Sequence, residues 1–204
     1  MIKTLIILFM ISLFGINSSK ANINIAYEYS FKDLDGEELK LSDFKNKVIV
    51  ITNVASKCGF TSQYEDLQTI WEKYQEKGLV VIGVPSSSFN QEFQTNEEVK
   101  NFCEAKFGIS FPMTQKEEVR GSNAHPFYKW AKETYGSKSV PKWNFHKIVI
   151  DKNGKVFDTF ASMTNPTSNK FIKAIEKAFY KLIDKILLEK EVKKLSKINI
   201  PEIK

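Results

Sequence analysis

Cys58 is the residue of this chain best placed for covalent chemistry. It follows Val48–Val54, a nearly continuous β-branched run, and precedes by a few residues a segment of helical spacing. A strand buried on both faces reads as such a run. A thiol on a strand-to-helix loop meets the free N–H groups and partial positive charge of a helix start. Both favour the thiolate, which is the nucleophilic form. Lys57 would add to this if its side chain turned inward. The alternative is a buried, inert thiol, since free Cys is among the most buried residue types. A strand-to-helix loop is a poor place to hide one.

The local string at residues 58–61 is CGFT. A dithiol oxidoreductase would carry Cys at the fourth position, where this chain has Thr61. Oxidised Cys58 therefore needs another fate. Cys103 is the one other thiol, in a segment whose Val99, Phe102 and Phe107 suggest an apolar side. It is either a packed core thiol or a resolving cysteine that attacks oxidised Cys58. A disulfide needs Cα atoms within about 7 Å, so the second role would require local unwinding of its helix.

The elements that must hold these residues follow from pattern. Asp35-Gly36, between Phe31/Leu34 and Leu39/Leu41, predicts a hairpin. Ser62 and Glu65 fit a capping box, opening a helix with Tyr64, Leu67, Trp71 and Tyr74 on one face and Gly78 past its end. Residues 79–84 predict a second buried strand, so strand–helix–strand order implies a right-handed parallel crossover. Thr95 and Glu98 form another capping-box pattern, with a helix through about Phe107. Residues 148–150 and 156–160 flank Asn153-Gly154 and predict a second hairpin. A last helix is expected from about Ser168, with Phe171, Ile172, Ile175, Phe179, Leu182, Ile183 and Ile186 on one stripe. The fold class is therefore α/β, a central mixed sheet flanked by helices.

Composition bounds the rest. The chain has 204 residues, 42% hydrophobic and 26% charged, values that exclude wholesale disorder and collagen-like repeats. Two Cys and two His argue against a zinc-dependent fold and exclude a disulfide-rich scaffold. His125 and His146 are too few for a metal site; His125, just before Pro126, suits a helix start. The net charge of +6 is spread as lysine without any nucleic-acid-binding motif. A solvated basic surface is the expectation, with no nucleic-acid partner.

Residues 1–21 have the anatomy of a secretory signal peptide: Lys3, an apolar run over 5–16, and small Ser19 and Ala21 before a cleavage site. An uncleaved anchor is the alternative. Cleavage after about Ala21 predicts a periplasmic or secreted protein. Domain organisation is then a leader at 1–21, a catalytic domain at 22–180 and a basic helical tail at 181–204. The tail suits an amphipathic helix docked on the sheet with a solvated end. Contact with a membrane surface is the less favoured reading.

Several separated strings share one resemblance. NVASKCGFT at 53–61 resembles the signature around the peroxidatic residue of the glutathione peroxidase family. NAHPFY at 123–128, KWNF at 142–145, TNEE at 95–98 and FP at 111–112 resemble further blocks of that family, in the same order. The resemblance spans roughly residues 25–180. It implies a thioredoxin-like fold and reduction of hydroperoxides, with no cofactor or metal. It places Cys58 as the peroxidatic residue and Trp143 and Asn144 as two members of the catalytic tetrad. For Trp143 the plain alternative is core packing, and for Asn144 a local backbone turn. Cys103 resembles the resolving cysteine of the non-selenium branch, whose reductant is a thioredoxin-like protein rather than glutathione. One block departs. The family usually carries PCNQF where residues 85–89 read PSSSF, in a loop about one residue shorter. Ser88 stands at the position of the tetrad Gln, with a shorter reach. Gln91 is the other candidate, although it better matches a separate Gln-Glu pair. A thiol peroxidase, a peroxide sensor or relay passing oxidation to a partner protein, and a domain without redox activity are the three function classes.

Overall fold

The computed structural model describes residues 24–180. The expected leader and tail lie outside the described residues, as do Leu182, Ile183 and Ile186 of the expected stripe. In chain order the elements are β1 (Ser30–Lys32), β2 (Glu38–Lys40), β3 (Val48–Val54), α1 (Gln63–Tyr74), β4 (Leu79–Pro85), α2 (Asn96–Phe107), α3 (Pro126–Tyr135), β5 (Lys147–Ile150), β6 (Val156–Phe160) and α4 (169–180).

β3 and β4 are buried at every residue and pair in parallel from Val48↔Leu79 to Val54↔Pro85. β5 runs antiparallel to β3, and β6 antiparallel to β5, giving the sheet order β4-β3-β5-β6. Successive β3 side chains point to opposite faces. Val48 and Val50 join Leu67 and Ile70 of α1, Val99 of α2, and Phe171 and Ile175 of α4. Ile49 and Ile51 join Phe127 and Trp130 of α3. Two apolar layers thus clamp the sheet, and each fully buried Val, Leu or Ile contributes roughly 1.5–3 kcal/mol. Among the described residues no helix is long and apolar enough to cross a membrane.

Most local signals hold. The capping box of Thr95 and Glu98 forms in both directions. Gly78 ends the α1 segment at φ 94°, after a short 3₁₀ turn over Gln75–Lys77. Asp33 turns the first hairpin by accepting the N–H groups of Asp35 and Glu37, both at 2.9 Å. In the second, Asp151 does the same for Asn153 and Lys155. Gly154, at φ 74°, leaves room for Tyr27, whose ring carbons lie 2.8 and 2.9 Å from where a Cβ would stand.

One reading is corrected and one completed. Ser62 is already helical, at φ −57° and ψ −21°, and caps nothing with its side chain. The helix instead grows from a run of tight turns. The N–H groups of Gln63, Tyr64 and Glu65 donate to the carbonyls of Phe60, Thr61 and Ser62, so those donors need no side-chain cap. The helix start read at His125 is where α3 begins, although no helix over 126–135 is among the expected elements. Its start is marked by His125, whose Nδ1 accepts the Phe127 N–H at 3.3 Å, and by Pro126 at the first helical position.

Candidate active site

β3 ends, β4 ends and the antiparallel β5 begins at one edge of the sheet, because Thr52 pairs with Lys147 and Val54 with Pro85. Three loops meet there: 55–61 with Cys58, 86–94 with Ser88 and Gln91, and 143–146 with Trp143 and Asn144. Asn53, at the end of β3 and fully buried, ties the third loop down. Its carbonyl accepts the Phe145 N–H at 2.6 Å, and its N–H donates to the His146 carbonyl. Its side chain donates to the Trp143 carbonyl at 3.2 Å and accepts the His146 N–H at 3.2 Å. Phe145 is held at φ 61°, a left-handed conformation uncommon outside glycine. Sequence reading gave Asn53 no role. Its one signal is an amide in a run otherwise almost wholly β-branched.

Cys58 is 8% exposed, so its loop shields the thiol more than its position suggests. The Phe60 N–H reaches Cys58 Sγ at 3.5 Å. The donor thus comes from the turn before α1; the N–H groups at the helix start are spent on carbonyls. Thr61, where a dithiol motif has its second Cys, organises the loop. Its Oγ1 accepts the Cys58 N–H at 3.1 Å and lies 3.0 and 2.6 Å from the Ala55 and Cys58 carbonyl oxygens, which share its one proton. Lys57 does not turn toward the sulfur. It is exposed, with its ammonium 4.4 Å from the centre of the Phe93 ring. Beside the thiol, Gly59 has nothing within 4 Å of where a Cβ would be.

The two loops flanking Cys58 are bonded to each other and to its own. The Lys57 N–H donates to the Gln91 carbonyl at 2.9 Å. Gln91 Oε1 then accepts Asn144 Nδ2 at 3.0 Å. Asn144 is wholly buried and its Oδ1 has no protein partner. The amide is therefore held between loops rather than closing a local turn. Ser88 is engaged elsewhere: its Oγ donates to the Glu118 carboxylate and accepts the Val119 N–H at 3.0 Å. Glu92, 7% exposed, accepts the Ser56 N–H at 3.1 Å and the Phe93 N–H at 2.8 Å on Oε1.

Trp143 is 42% exposed, which excludes core packing as its role. Its ring rests against Phe89 at 5.3 Å and lines a cavity of about 250 Å³ with His146, Lys142 and Ser162. Burial, with the Lys147 and Lys142 charges, pushes His146 down to about 4, and burial does the same to His125. Both imidazoles are neutral at pH 7. Lys147 is fully buried, its ammonium reaching the Gln63 side-chain oxygen and the carbonyls of Ser162 (3.4 Å) and Thr164 (2.7 Å). It ties the first residue of α1 to the connection after β6.

Cys103 lies in α2, 1% exposed, in the same core cluster as Cys58. Both are free thiols. A cavity of about 380 Å³ reaches Cys103 from the side of the β1–β2 hairpin.

Comparison with known proteins gives the arrangement its place. A family model described as Glutathione peroxidase matches residues 26–132. The chain is similar to Glutathione peroxidase-like peroxiredoxin 2 of Saccharomyces cerevisiae, 44% identical over 147 residues, 70% of this chain and 90% of that protein. It is 39% identical over 158 residues to Hydroperoxy fatty acid reductase gpx1 of Synechocystis, covering 73% and 93%. Among solved structures, T. cruzi GPX1 matches with a TM-score of 0.61 at 30% identity, over 76% of this chain and 97% of that one. A thioredoxin-family thiol:disulfide interchange protein from Chlorobium tepidum, 18% identical with a TM-score of 0.57 over 74% and 92%, shares the fold. The chain belongs to the glutathione peroxidase family and is a peroxidase of thioredoxin-like fold.

Proposed function

We propose that the protein reduces hydrogen peroxide and organic or lipid hydroperoxides with Cys58 as the peroxidatic residue, Cys103 as the resolving one and Gln91 in place of the family's tetrad Gln. The observation that carries this reading is the bonded path from the Cys58 loop through Gln91 to Asn144. The Cys58 thiolate attacks one peroxide oxygen and the O–O bond breaks. Cys58 becomes a sulfenic acid and the other oxygen leaves as water or an alcohol. The Phe60 N–H steadies the sulfur. The Asn144 amide, oriented by Gln91, and the half-exposed Trp143 indole supply donors at the mouth of the loop. Ser88, committed to Glu118, leaves that task to Gln91. A thiol reductant then restores the enzyme. A thioredoxin-like protein is favoured over glutathione, because it reduces a disulfide between Cys58 and Cys103 directly. The 1–21 leader supports export to the periplasm or beyond.

Intact mass of the reduced mature chain after one equivalent of hydrogen peroxide tests this. Loss of two hydrogens, abolished in both Cys58→Ser and Cys103→Ser, is the expected result. Lasting oxygen addition at Cys58 would instead mean a one-cysteine enzyme or sensor. No mass change at all would sink the assignment of Cys58.

A further inference from the structure

Residues 55–61 form neither helix nor strand, so the place of Cys58 is set by the bonds of the loop that carries it. Three consecutive N–H groups lead into the sulfur, and each is spent. Ser56 donates to Glu92 Oε1 at 3.1 Å, Lys57 to the Gln91 carbonyl at 2.9 Å, and Cys58 to Thr61 Oγ1 at 3.1 Å. The third bond is internal to the loop, and the second runs from main chain to main chain. Among the described residues, Glu92 is the one side chain outside the loop that hydrogen-bonds to it.

Glu92 is itself firmly held. It is 7% exposed, and its Oε1 also accepts the Phe93 N–H at 2.8 Å. From below, the Lys116 ammonium donates to the Phe93 carbonyl at 3.1 Å and to the Gln94 carbonyl. At the other end of the 86–94 loop, the Ser86 N–H donates to the Val54 carbonyl at 3.1 Å, the last residue of β3. Glu92 Oε2 is buried without a partner, so one oxygen does the bonding. Gln91, next in the chain, aims its side chain at Asn144 instead. Two adjacent residues thus set two parts of the site: Gln91 orients the donor amide, and Glu92 fixes the backbone two residues before the thiol. A buried carboxylate is costly to keep, and packing alone is served as well by an apolar side chain of similar volume.

We propose that Glu92 is a positioning residue for peroxide reduction: through the Ser56 N–H it holds Cys58 in register with the donors on Asn144 and Trp143. This rests on the reading of Cys58 given above. Glu92 acts through the backbone and exchanges no proton with the sulfur. Without its bond, residues 56–57 keep only the Lys57–Gln91 tie to the neighbouring loop, and the thiol, now 8% exposed, moves off its donors. A peroxide must meet the sulfur and the donors together, so a misplacement of about 1 Å slows that reaction by up to about a hundredfold. An alkylating reagent needs only the thiolate.

The reduced mature chain is mixed with hydrogen peroxide or, separately, with iodoacetamide, and loss of the free Cys58 thiol is followed by peptide mass. Both rates scale with the thiolate fraction, so their ratio is indifferent to a change in the acidity of Cys58 and reports its alignment. In Glu92→Ala the ratio of peroxide to alkylation rate should fall at least about tenfold. Glu92→Gln keeps an acceptor oxygen for the Ser56 and Phe93 N–H groups and should stay within about threefold of wild type. If Glu92→Ala does not fold, by near-UV circular dichroism, Glu92→Asp decides: its carboxylate is one methylene short of the Ser56 N–H, and the ratio should fall severalfold. An unchanged ratio in the folded Ala or Asp variant overturns the positioning role, as does a Gln variant as impaired as Ala. A wild-type chain whose Cys58 is alkylated but never oxidised overturns the reading of Cys58 itself, and this role with it.

Discussion

Lys147→Met isolates one buried charge. In the folded protein burial pushes Lys147 down to about 7 from 10.5, against the attraction of Asp66. The unfolded chain, solvated, titrates near the ordinary value. Between those two pH values the unfolded state holds a proton that the folded state lacks, so stability rises with pH across the window. The full slope is about 1.4 kcal/mol per pH unit for one proton. Near pH 7 the folded lysine is half protonated, so the gain between pH 7 and 9 is roughly 2 kcal/mol. Cys103, pushed up to about 11, works in the opposite sense but is common to both proteins and cancels in the difference. Met also leaves the Gln63 oxygen and two carbonyls without their donor, at about 1–3 kcal/mol for each group left unpaired, but that cost does not vary with pH. Urea unfolding of the reduced chain at pH 7, 8 and 9 supplies the comparison. The wild-type free energy minus that of Lys147→Met should rise by roughly 2 kcal/mol. Two curves that stay parallel from pH 7 to 9 would mean that Lys147 titrates normally, and the buried-ammonium argument would fail.

Three further outcomes follow from the same contacts. Gln91→Ala should slow peroxide reduction about tenfold or more, because the buried Asn144 amide loses its acceptor at roughly 1–3 kcal/mol; Ser88→Ala should stay within about threefold, and the reverse order in stopped-flow rates would return the tetrad position to Ser88. Thr95→Ala removes the side-chain half of a formed capping box, the acceptor of the Glu98 N–H, while the backbone N–H at that position still reaches the Glu98 carboxylate, and should lower the urea-unfolding free energy by about 1 kcal/mol. If Cys103 resolves Cys58 by local loosening of α2, as proposed, the same change should speed disulfide formation, and a slower step would contradict that route. Gly154→Ala meets both a left-handed backbone and the Tyr27 ring and should cost roughly 2 kcal/mol in the same unfolding assay.

How far the sequence reaches depends on whether the signal is local. β3, β4 and α2 are legible because a β-branched run and a capping box are contained in a few neighbouring residues. α3 is legible too, since its buried Phe127, Tyr128, Trp130 and Ala131 fall at helical spacing behind His125-Pro126, but only its start is among the expectations. Ser62 misleads because Ser-x-x-Glu describes a cap only when the first residue is extended, and here tight turns from Cys58 onward have already set it helical. Cys58, Cys103, Trp143 and Asn144 can be nominated from strings alone. The partner of Asn144 cannot, because Gln91 and Asn144 are joined across 53 residues of chain. The same holds for Glu92, whose carboxylate meets the Ser56 N–H across 36 residues of chain. Lys57 shows the converse: its neighbour in sequence is the thiol, but its neighbour in space is the Phe93 ring.

The bond from the Lys57 N–H to the Gln91 carbonyl has a consequence for tolerance to insertion and deletion. It is a main-chain contact, indifferent to which side chains flank it. Ser86 and Phe89 are buried in that loop, so a residue is lost or gained most easily at its exposed positions, Ser87 and Asn90, while the amide delivered to Asn144 keeps its place. The functional group is addressed by its distance back from the anchored end of the loop, not by its count forward from the strand. Chains whose loop differs in length would then carry the same chemistry at a shifted residue number, and a column-by-column comparison would wrongly score them as lacking it.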